Sequence, residues 1–436
     1  MSGNHSIVEP SILSGFMELL PKEQMKFSKM MSIITKSYES YGFIPLDTPV
    51  IEKSEILLAK SGGDTEKQIY RFTKGDSDMA LRFDMTVPLA RFVAQHYGEL
   101  TFPFRRYAIG KVYRGEKPQK GRFREFYQCD IDIIGNGNLA VINDAEIVSV
   151  IYSTFKALDI GKFTIMINNR KILAGLCQYL SVEDPIVVLR IIDKIDKIGG
   201  EKVVLELEGC GFSHEQATLM MNVIALNGGV DQVVDALANF NIDNELFNTG
   251  VEELRAVCDG IKSLGIPDEV IKIALKIARG LDYYTGTVYE TQLDDYPQLG
   301  SICSGGRYDN LASNYTKQSL PGVGISIGLS RLFYQLNAAG ILDVSPVYNI
   351  GSTPTQILFI PMADTMQYTL SIAADYRKKG YNVEVYMNDG KLGKKMGYAD
   401  KLGIPYVAVI GSDEMESGVI NFKNMKTGEI TQNPLF

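Results

Sequence analysis

Phe104-Arg105-Arg106-Tyr107 through Tyr113-Arg114-Gly115-Glu116, then Lys120-Gly121-Arg122-Phe123-Arg124-Glu125-Phe126 and Tyr127-Gln128-Cys129-Asp130-Ile131-Asp132, holds two β-rich runs, Tyr107 to Tyr113 and Phe123 to Ile134. A basic, glycine-containing stretch parts them, and no helical rhythm intervenes, so an antiparallel hairpin with a long loop is expected rather than a βαβ unit. Arg105, Arg106, Lys111, Arg114, Lys117, Lys120, Arg122 and Arg124 crowd this segment with only Glu116 opposing them, in a chain of formal net charge -8. A basic run is ordinarily a solvated face. Concentrated in an acidic chain, it also reads as a local anion site.

Upstream, Met25, Phe27, Met30, Ile33, Ile34 and Tyr38 recur at helical spacing between Pro21 and Gly42, which predicts an amphipathic helix over 22–41. Phe43 to Ile51 is extended but carries Pro45 and Pro49, so it belongs at an edge or a contact. Ala80 to Phe83 is a further short β-rich run. Downstream, helical periodicity over Leu173 to Leu180, Pro185 to Ile198, Glu215 to Ala225, Val230 to Ala238 and Val251 to Leu264 predicts an inserted helical subdomain. Strands resume at Tyr283 to Gln292, and Gly322 to Ala339 starts as a strand and continues as a helix. The stretch around Pro346, Gly351 and Pro354 is a linker. Beyond it, Ile357 to Pro361, Asn382 to Tyr386 and Tyr406 to Ile410 alternate with helices near Thr369 to Lys379 and Lys391 to Leu402, a small α/β domain of the βαβ kind.

A chain of 436 residues exceeds one compact core and implies two or three domains. With 45% hydrophobic and 22% charged residues it is neither disordered nor fibrous. Five scattered cysteines and three histidines form no zinc-ligand spacing, and the cysteines read as reduced thiols of a cytoplasmic protein. No signal segment and no apolar run long enough to span a membrane is present. The acidic balance argues against a general nucleic-acid coat. Nothing matches a P-loop or a Rossmann fingerprint.

The quoted stretch resembles motif 2 of the class II aminoacyl-tRNA synthetases, and with Gln128 to Asp132 it resembles the histidyl-tRNA synthetase family in particular. Asp47-Thr48-Pro49-Val50 is similar to motif 1, and Gly322-Val323-Gly324-Ile325-Ser326-Ile327-Gly328-Leu329-Ser330-Arg331 to motif 3. Arg279-Gly280-Leu281-Asp282-Tyr283-Tyr284-Thr285-Gly286 and Ser304-Gly305-Gly306-Arg307-Tyr308-Asp309 resemble the two segments peculiar to the histidine branch. The resemblance covers essentially the whole chain. It implies an α+β fold: a catalytic domain over 1–345 built on an antiparallel sheet with a helical insertion at about 170–270, a linker at 346–354, and an anticodon-binding-like α/β domain over 355–436.

The implied chemistry suits these residue types. Activation of an amino acid by ATP needs two anions held together and a more highly charged transition state stabilised, which permanently charged guanidinium groups do well. By resemblance, Arg114 and Arg279 contact the α-phosphate and the substrate carboxylate as the catalytic pair, and Arg122 and Arg331 hold the outer phosphates. Asp84, Thr86 and Gln128 take the α-amino end of histidine, Asp132 and Tyr284 bracket the imidazole, and Tyr308 lines the same pocket. ATP as substrate, Mg2+, histidine, tRNA(His) and a homodimer formed about Pro49 follow, with no dedicated metal cage and no membrane. Lys391, Lys394, Lys395 and Lys401 offer a helix face toward RNA. Asp84 and Asp132 stand where many members carry glutamate, and Ser330 where motif 3 often has an acidic residue. The alternative is the catalytically inactive, synthetase-like regulatory subunit of ATP phosphoribosyltransferase, which usually lacks the anticodon domain and parts of these motifs.

Overall fold

The computed structural model describes residues 8–59, 64–192, 195–277, 284–362 and 364–434. These divide into two compact units: Met31–Ile341 with the segment ending at Met17, and Leu342–Phe436 with Glu18–Met30. The amphipathic helix expected from the sequence forms over Pro21–Ser40, and the division runs through it.

In the larger unit the strands are β1 (Ile44–Pro45), β2 (Ile51–Lys53), β3 (Arg71–Lys74), β4 (Ser77–Leu81), β5 (Phe104–Tyr113), β6 (Glu125–Ile134), β7 (Phe163–Asn169), β8 (Ile271–Ile273), β9 (Thr287–Leu293), β10 (Cys303–Tyr308) and β11 (Gly322–Ile327). Eight of them form one sheet in the order β1-β5-β6-β11-β10-β9-β7-β8, while β2-β4-β3 make a small antiparallel sheet. The interior of the large sheet is antiparallel; only β1 on β5 and β8 on β7 pair in parallel. The predicted hairpin is β5–β6, paired from Phe104↔Ile134 to Tyr113↔Glu125. Pro45 occupies the edge strand, where a residue without an N–H removes no ladder bond.

The helix Ile142–Leu158 packs on this sheet and is tied to it by a buried ion pair in which Arg307 holds the Asp144 carboxylate at 2.7 Å. Arg307 belongs to a segment read as functional, yet its guanidinium also donates to the carbonyls of Leu139 and Ala140, so its work is structural. The inserted block is helical as expected, and a helix not anticipated forms over Gly200–Gly209. Gly199 before it has φ +83°, a conformation suited to glycine, and this Gly-Gly pair breaks the periodicity on which sequence reading depends.

The smaller unit carries β12 (Ile357–Pro361), β13 (Val383–Val385), β14 (Tyr406–Ile410), β15 (Phe422–Asn424) and β16 (Ile430–Thr431) in the order β13-β12-β14-β15-β16. The first three are parallel, as the βαβ rhythm requires, and the last two add antiparallel at one edge. Helices Met366–Lys378 and Leu392–Leu402 cover the sheet. Lys395 departs from the helix face expected to turn toward RNA: it is buried, donates to the Pro361 carbonyl at 3.3 Å and lies 5.5 Å from the Tyr386 ring. Pro346–Tyr348, inside the expected linker, forms a 3-10 turn. No described helix is long and apolar enough to cross a membrane.

Candidate active site

One cavity of about 470 Å³ lies on the large sheet. Asp84 and Thr86 reach it from the start of helix Thr86–Gln95, Arg114 from the end of β5 and Arg122 from the hairpin loop. Gln128 and Asp132 come from β6, Tyr284 from ahead of β9, Tyr308 from the end of β10, and Arg331 from helix Leu329–Ala338, which follows β11. Nine of the ten anticipated site residues, drawn from segments far apart in the chain, therefore line one space. The tenth, Arg279, lies outside the described residues.

The polar floor is made by β6. Asp132 pairs with Arg106 at 2.7 Å, both almost wholly buried, and accepts a hydrogen bond from the Tyr308 hydroxyl at 2.8 Å. Arg106 and Asp132 are direct cross-strand neighbours, and the neighbour of Asp132 on the other side is Gly324. A Cβ at Gly324 would fall 2.3 Å from Asp132 Oδ1 and 2.2 Å from the Ile131 carbonyl, so the missing side chain is what gives the carboxylate its place. Gly322 likewise leaves room for the Tyr308 ring, 2.4 Å from where its Cβ would be. At these two glycines the missing side chain makes room for the Asp132 carboxylate and the Tyr308 ring.

Asp84 caps the following helix, accepting from the amides of Thr86 at 3.1 Å and Val87 at 2.9 Å. The shorter acid is thus held by the first turn of its own helix. Burial raises the Asp84 carboxyl, against those backbone hydrogen bonds and the pull of Arg114 and Arg106. Burial pushes Asp132 up to about 6 and Asp130 up to about 7, with Arg106 opposing both. Three carboxylates near a single buried arginine make a region suited to a cation.

Two arginines form a second group of coupled charges. Arg331 is lowered by burial and then by neighbouring Arg122, and its Nη2 donates to the Leu299 carbonyl at 3.1 Å. Arg122 is half-exposed and lies 3.8 Å from Glu116. Arg114 stands between the Phe83 and Phe126 rings, 4.5 and 5.1 Å from their centroids, and its Nε donates to the Phe83 carbonyl. Ser330, the departure from the motif 3 pattern, accepts from the Tyr127 amide at 2.9 Å and so joins its helix to β6 without a charge.

The crowded basic segment is not one anion site. Alternation on β5 sends Arg106 to the buried side, while Arg105 pairs with Glu146 and Lys111 with Glu125 on the other. Arg124 is spent on the carbonyls of Glu116 and Ser14. Of the eight, Arg114 and Arg122 line the cavity. Sequence reasoning missed Asp130, Ser326, Glu116 and Glu290, which also line it. Asp130 could have been found by alternation alone, since it lies between Gln128 and Asp132 on the same face of β6.

The histidyl-tRNA synthetase family model matches residues 15–332, and the anticodon binding domain model matches residues 356–435. The chain is 59% identical to a histidine–tRNA ligase of Clostridium tetani over 97% of this chain and 95% of that protein. It aligns with the crystal structure of histidyl-tRNA synthetase from Nostoc sp. PCC 7120 at TM-score 0.89 and 41% identity, covering 98% of this chain and 97% of that one. A structure described as an ATP phosphoribosyltransferase regulatory subunit/histidyl-tRNA synthetase from Bacillus halodurans aligns at TM-score 0.76 and 20% identity over 93% of this chain and 100% of that one, a likeness of fold.

Proposed function

The chain belongs to the histidyl-tRNA synthetase family, and on that premise we propose that it activates histidine with ATP and transfers it to tRNA(His). The observation that carries this reading is the convergence of Asp84, Thr86, Gln128, Asp132, Tyr284 and Tyr308 with Arg114, Arg122 and Arg331 about one cavity. Histidine lies with its ammonium group toward Asp84, Thr86 and Gln128, and its imidazole between Asp132 and Tyr284. Its α-carboxylate oxygen attacks the α-phosphorus of ATP, the bond to the bridging oxygen breaks, and pyrophosphate leaves. The terminal ribose hydroxyl of tRNA then takes the acyl group and releases AMP. Arg114, with Arg279, meets the charge that grows on the α-phosphoryl oxygens, while Arg122 and Arg331 hold the departing phosphates.

Among the described residues no three side chains converge as a metal site. Glu116 and Glu290 line the cavity, and Mg2+ commonly takes one or two carboxylates with substrate phosphates and water, so the residues fit an ion that arrives with ATP. When bound it neutralises phosphate charge. We assign 1–345 to catalysis, with the helical insertion at about 170–270, 346–354 to a linker, and 355–436 to anticodon binding, where single-stranded bases are read by stacking and edge contacts. Free thiols at all five cysteines support a cytoplasmic setting. The regulatory-subunit reading shares the fold but leaves the arginine group and the anticodon-model match at 356–435 without a purpose.

Exchange of labelled pyrophosphate into ATP is expected with histidine alone among the twenty amino acids, without tRNA; silence with histidine would sink the proposal. A homodimer about Pro49 is expected too, since Ile44 and Ile51 near it are half-exposed on edge strands. Sedimentation at micromolar concentration is its check, and a monomer throughout would refute it.

A further inference from the structure

Gln128, Asp130 and Asp132 alternate along β6 and face one side of the sheet, and Ser326 on β11 stands directly opposite Asp130. Gln128 Nε2 donates to Ser326 Oγ at 2.9 Å, and Ser326 in turn hydrogen-bonds the Asp130 carboxyl. A hydroxyl has one proton to give. Because a carboxylate can only accept, the proton goes to Asp130, and Ser326 is left to accept from its other neighbour. Gln128 must therefore present its NH2 to Ser326. Its carbonyl oxygen, Oε1, is buried with no hydrogen-bond partner among the described residues. Asp130 is 2% exposed, lines the cavity, and its Oδ1 also lacks a partner among those residues. Two acceptors held out of water without donors favour a ligand that brings several N–H groups.

We propose that Asp130 is a positioning residue for the amino-acid substrate: through Ser326 it fixes the Gln128 amide with its oxygen toward the α-ammonium group, and its own charge strengthens the attraction. This rests on the reading above that Gln128 meets the ammonium group.

The polarity of the chain gives the test. In Asp130→Asn the amide NH2 can donate to Ser326, whose proton then turns to Gln128 and draws Oε1 away from the substrate. The KM for histidine in pyrophosphate exchange is expected to rise about tenfold or more, with kcat changed much less. A glutamate at 128 accepts on both of its oxygens. Gln128→Glu should harm the otherwise unchanged protein, where Ser326 cannot serve two carboxylates, yet lower the KM of Asp130→Asn. Ser326→Ala breaks the chain but keeps the charge, so it should raise KM while preserving the pH response described next.

Asp130 is ionised above about 7 and loses its charge as pH falls. The charged groups on its side of the sheet are Arg106 on β5, Asp132 on β6, Glu290 on β9 and Asp84 ahead of its helix, while Cys129 on β6, Cys303 on β10 and Tyr38 on helix Pro21–Ser40 lie close by on the other side. Burial keeps Cys129, Cys303 and Tyr38 neutral. The wild-type KM for histidine should climb between pH 8 and pH 6 more steeply than that of Asp130→Asn; free imidazole titrates there too, but equally for both. Folding is checked by melting. A carboxyl raised by folding holds a proton that the unfolded chain has released, so its burial costs stability as pH rises, and Asp130→Asn should gain more in Tm over wild type at pH 8 than at pH 5.

An unchanged KM and pH slope in Asp130→Asn, or additive effects of the two substitutions, would overturn the relay. If wild type shows no histidine-dependent exchange, the enzyme reading has failed instead. The relay is then judged by calorimetric binding of histidine to the same variants, and equal or absent binding overturns it.

Discussion

Asp132→Ala is expected to abolish histidine-dependent exchange and to destabilise the larger unit by about 3 kcal/mol, the lower end of the usual cost of stripping a buried ion pair of one partner. Arg106 is 1% exposed, and its Nη2 is 2.7 Å from Asp132 Oδ2. Its Nε and Nη1 have no hydrogen-bond partner among the described residues. A guanidinium cannot shed its charge. Removal of the carboxylate therefore leaves a cation in the sheet with the Met85 carbonyl, at 3.3 Å, as a weak neighbour. What places the cost at the lower end is Asp130: Arg106 already draws its carboxyl down, so it should ionise more fully once Asp132 is gone. Asp132→Asn keeps an acceptor for the Tyr308 hydroxyl and loses only the charge, so its cost should be smaller while histidine binding is still lost. Urea titration measures the stability, and melting with and without histidine measures the site, since a ligand raises Tm only where it binds. A normal urea midpoint for Asp132→Ala would mean that Arg106 is not electrostatically dependent on it.

The antiparallel hairpin, the helical insertion and the βαβ rhythm were legible because each is a local pattern of spacing. Strand and helix periods survive in Phe104 to Ile134 and in the C-terminal unit without reference to anything distant. The ordered motifs also brought nine site residues to one cavity. What was illegible depends on register. That Arg106 faces Asp132, and Asp130 faces Ser326, follows from which residues of β5, β6 and β11 stand opposite, and a slip of one residue would reverse every face. Read in sequence, Arg106 was one more member of a basic cluster; in the sheet it is the buried counter-ion of Asp132. Lys395 was misread for the same reason: a lysine's spacing does not tell which side of its helix meets a carbonyl and a tyrosine ring. The strands β15 and β16 are too short to announce themselves by period.

Arg114→Ala is expected to slow adenylate formation by about 100- to 1,000-fold, the range seen when one donor to a developing oxyanion is lost, or about 2.7–4 kcal/mol of transition-state stabilisation. The fold should survive, because Arg114 is only partly buried and lies at the cavity wall rather than in the sheet core. Its Cζ lies over the rings of Phe83 and Phe126, 4.5 and 5.1 Å from their centroids. Cation–π contacts of this kind hold the guanidinium in place and so fix the direction in which its N–H groups point. Arg114→Lys separates the two contributions. A lysine keeps the charge but has neither the plane to be clamped nor a paired donor edge, so if orientation carries the catalysis it should lie within about tenfold of the alanine variant. A lysine variant close to wild type would instead assign the effect to net charge. Arg114 also draws the Asp84 carboxyl down against its burial. Its loss lets that carboxyl rise further, so histidine binding by Arg114→Ala should weaken as pH falls in a range where the wild type still binds, beyond any loss of contact with the substrate carboxylate, which is the same at high pH. Rapid-quench measurement of adenylate in a single turnover reads the chemical step, and calorimetric titration with histidine at two pH values reads the carboxyl. A variant slow in chemistry yet unaltered in histidine affinity at both pH values would keep Arg114 as a phosphate ligand and remove its hold on Asp84.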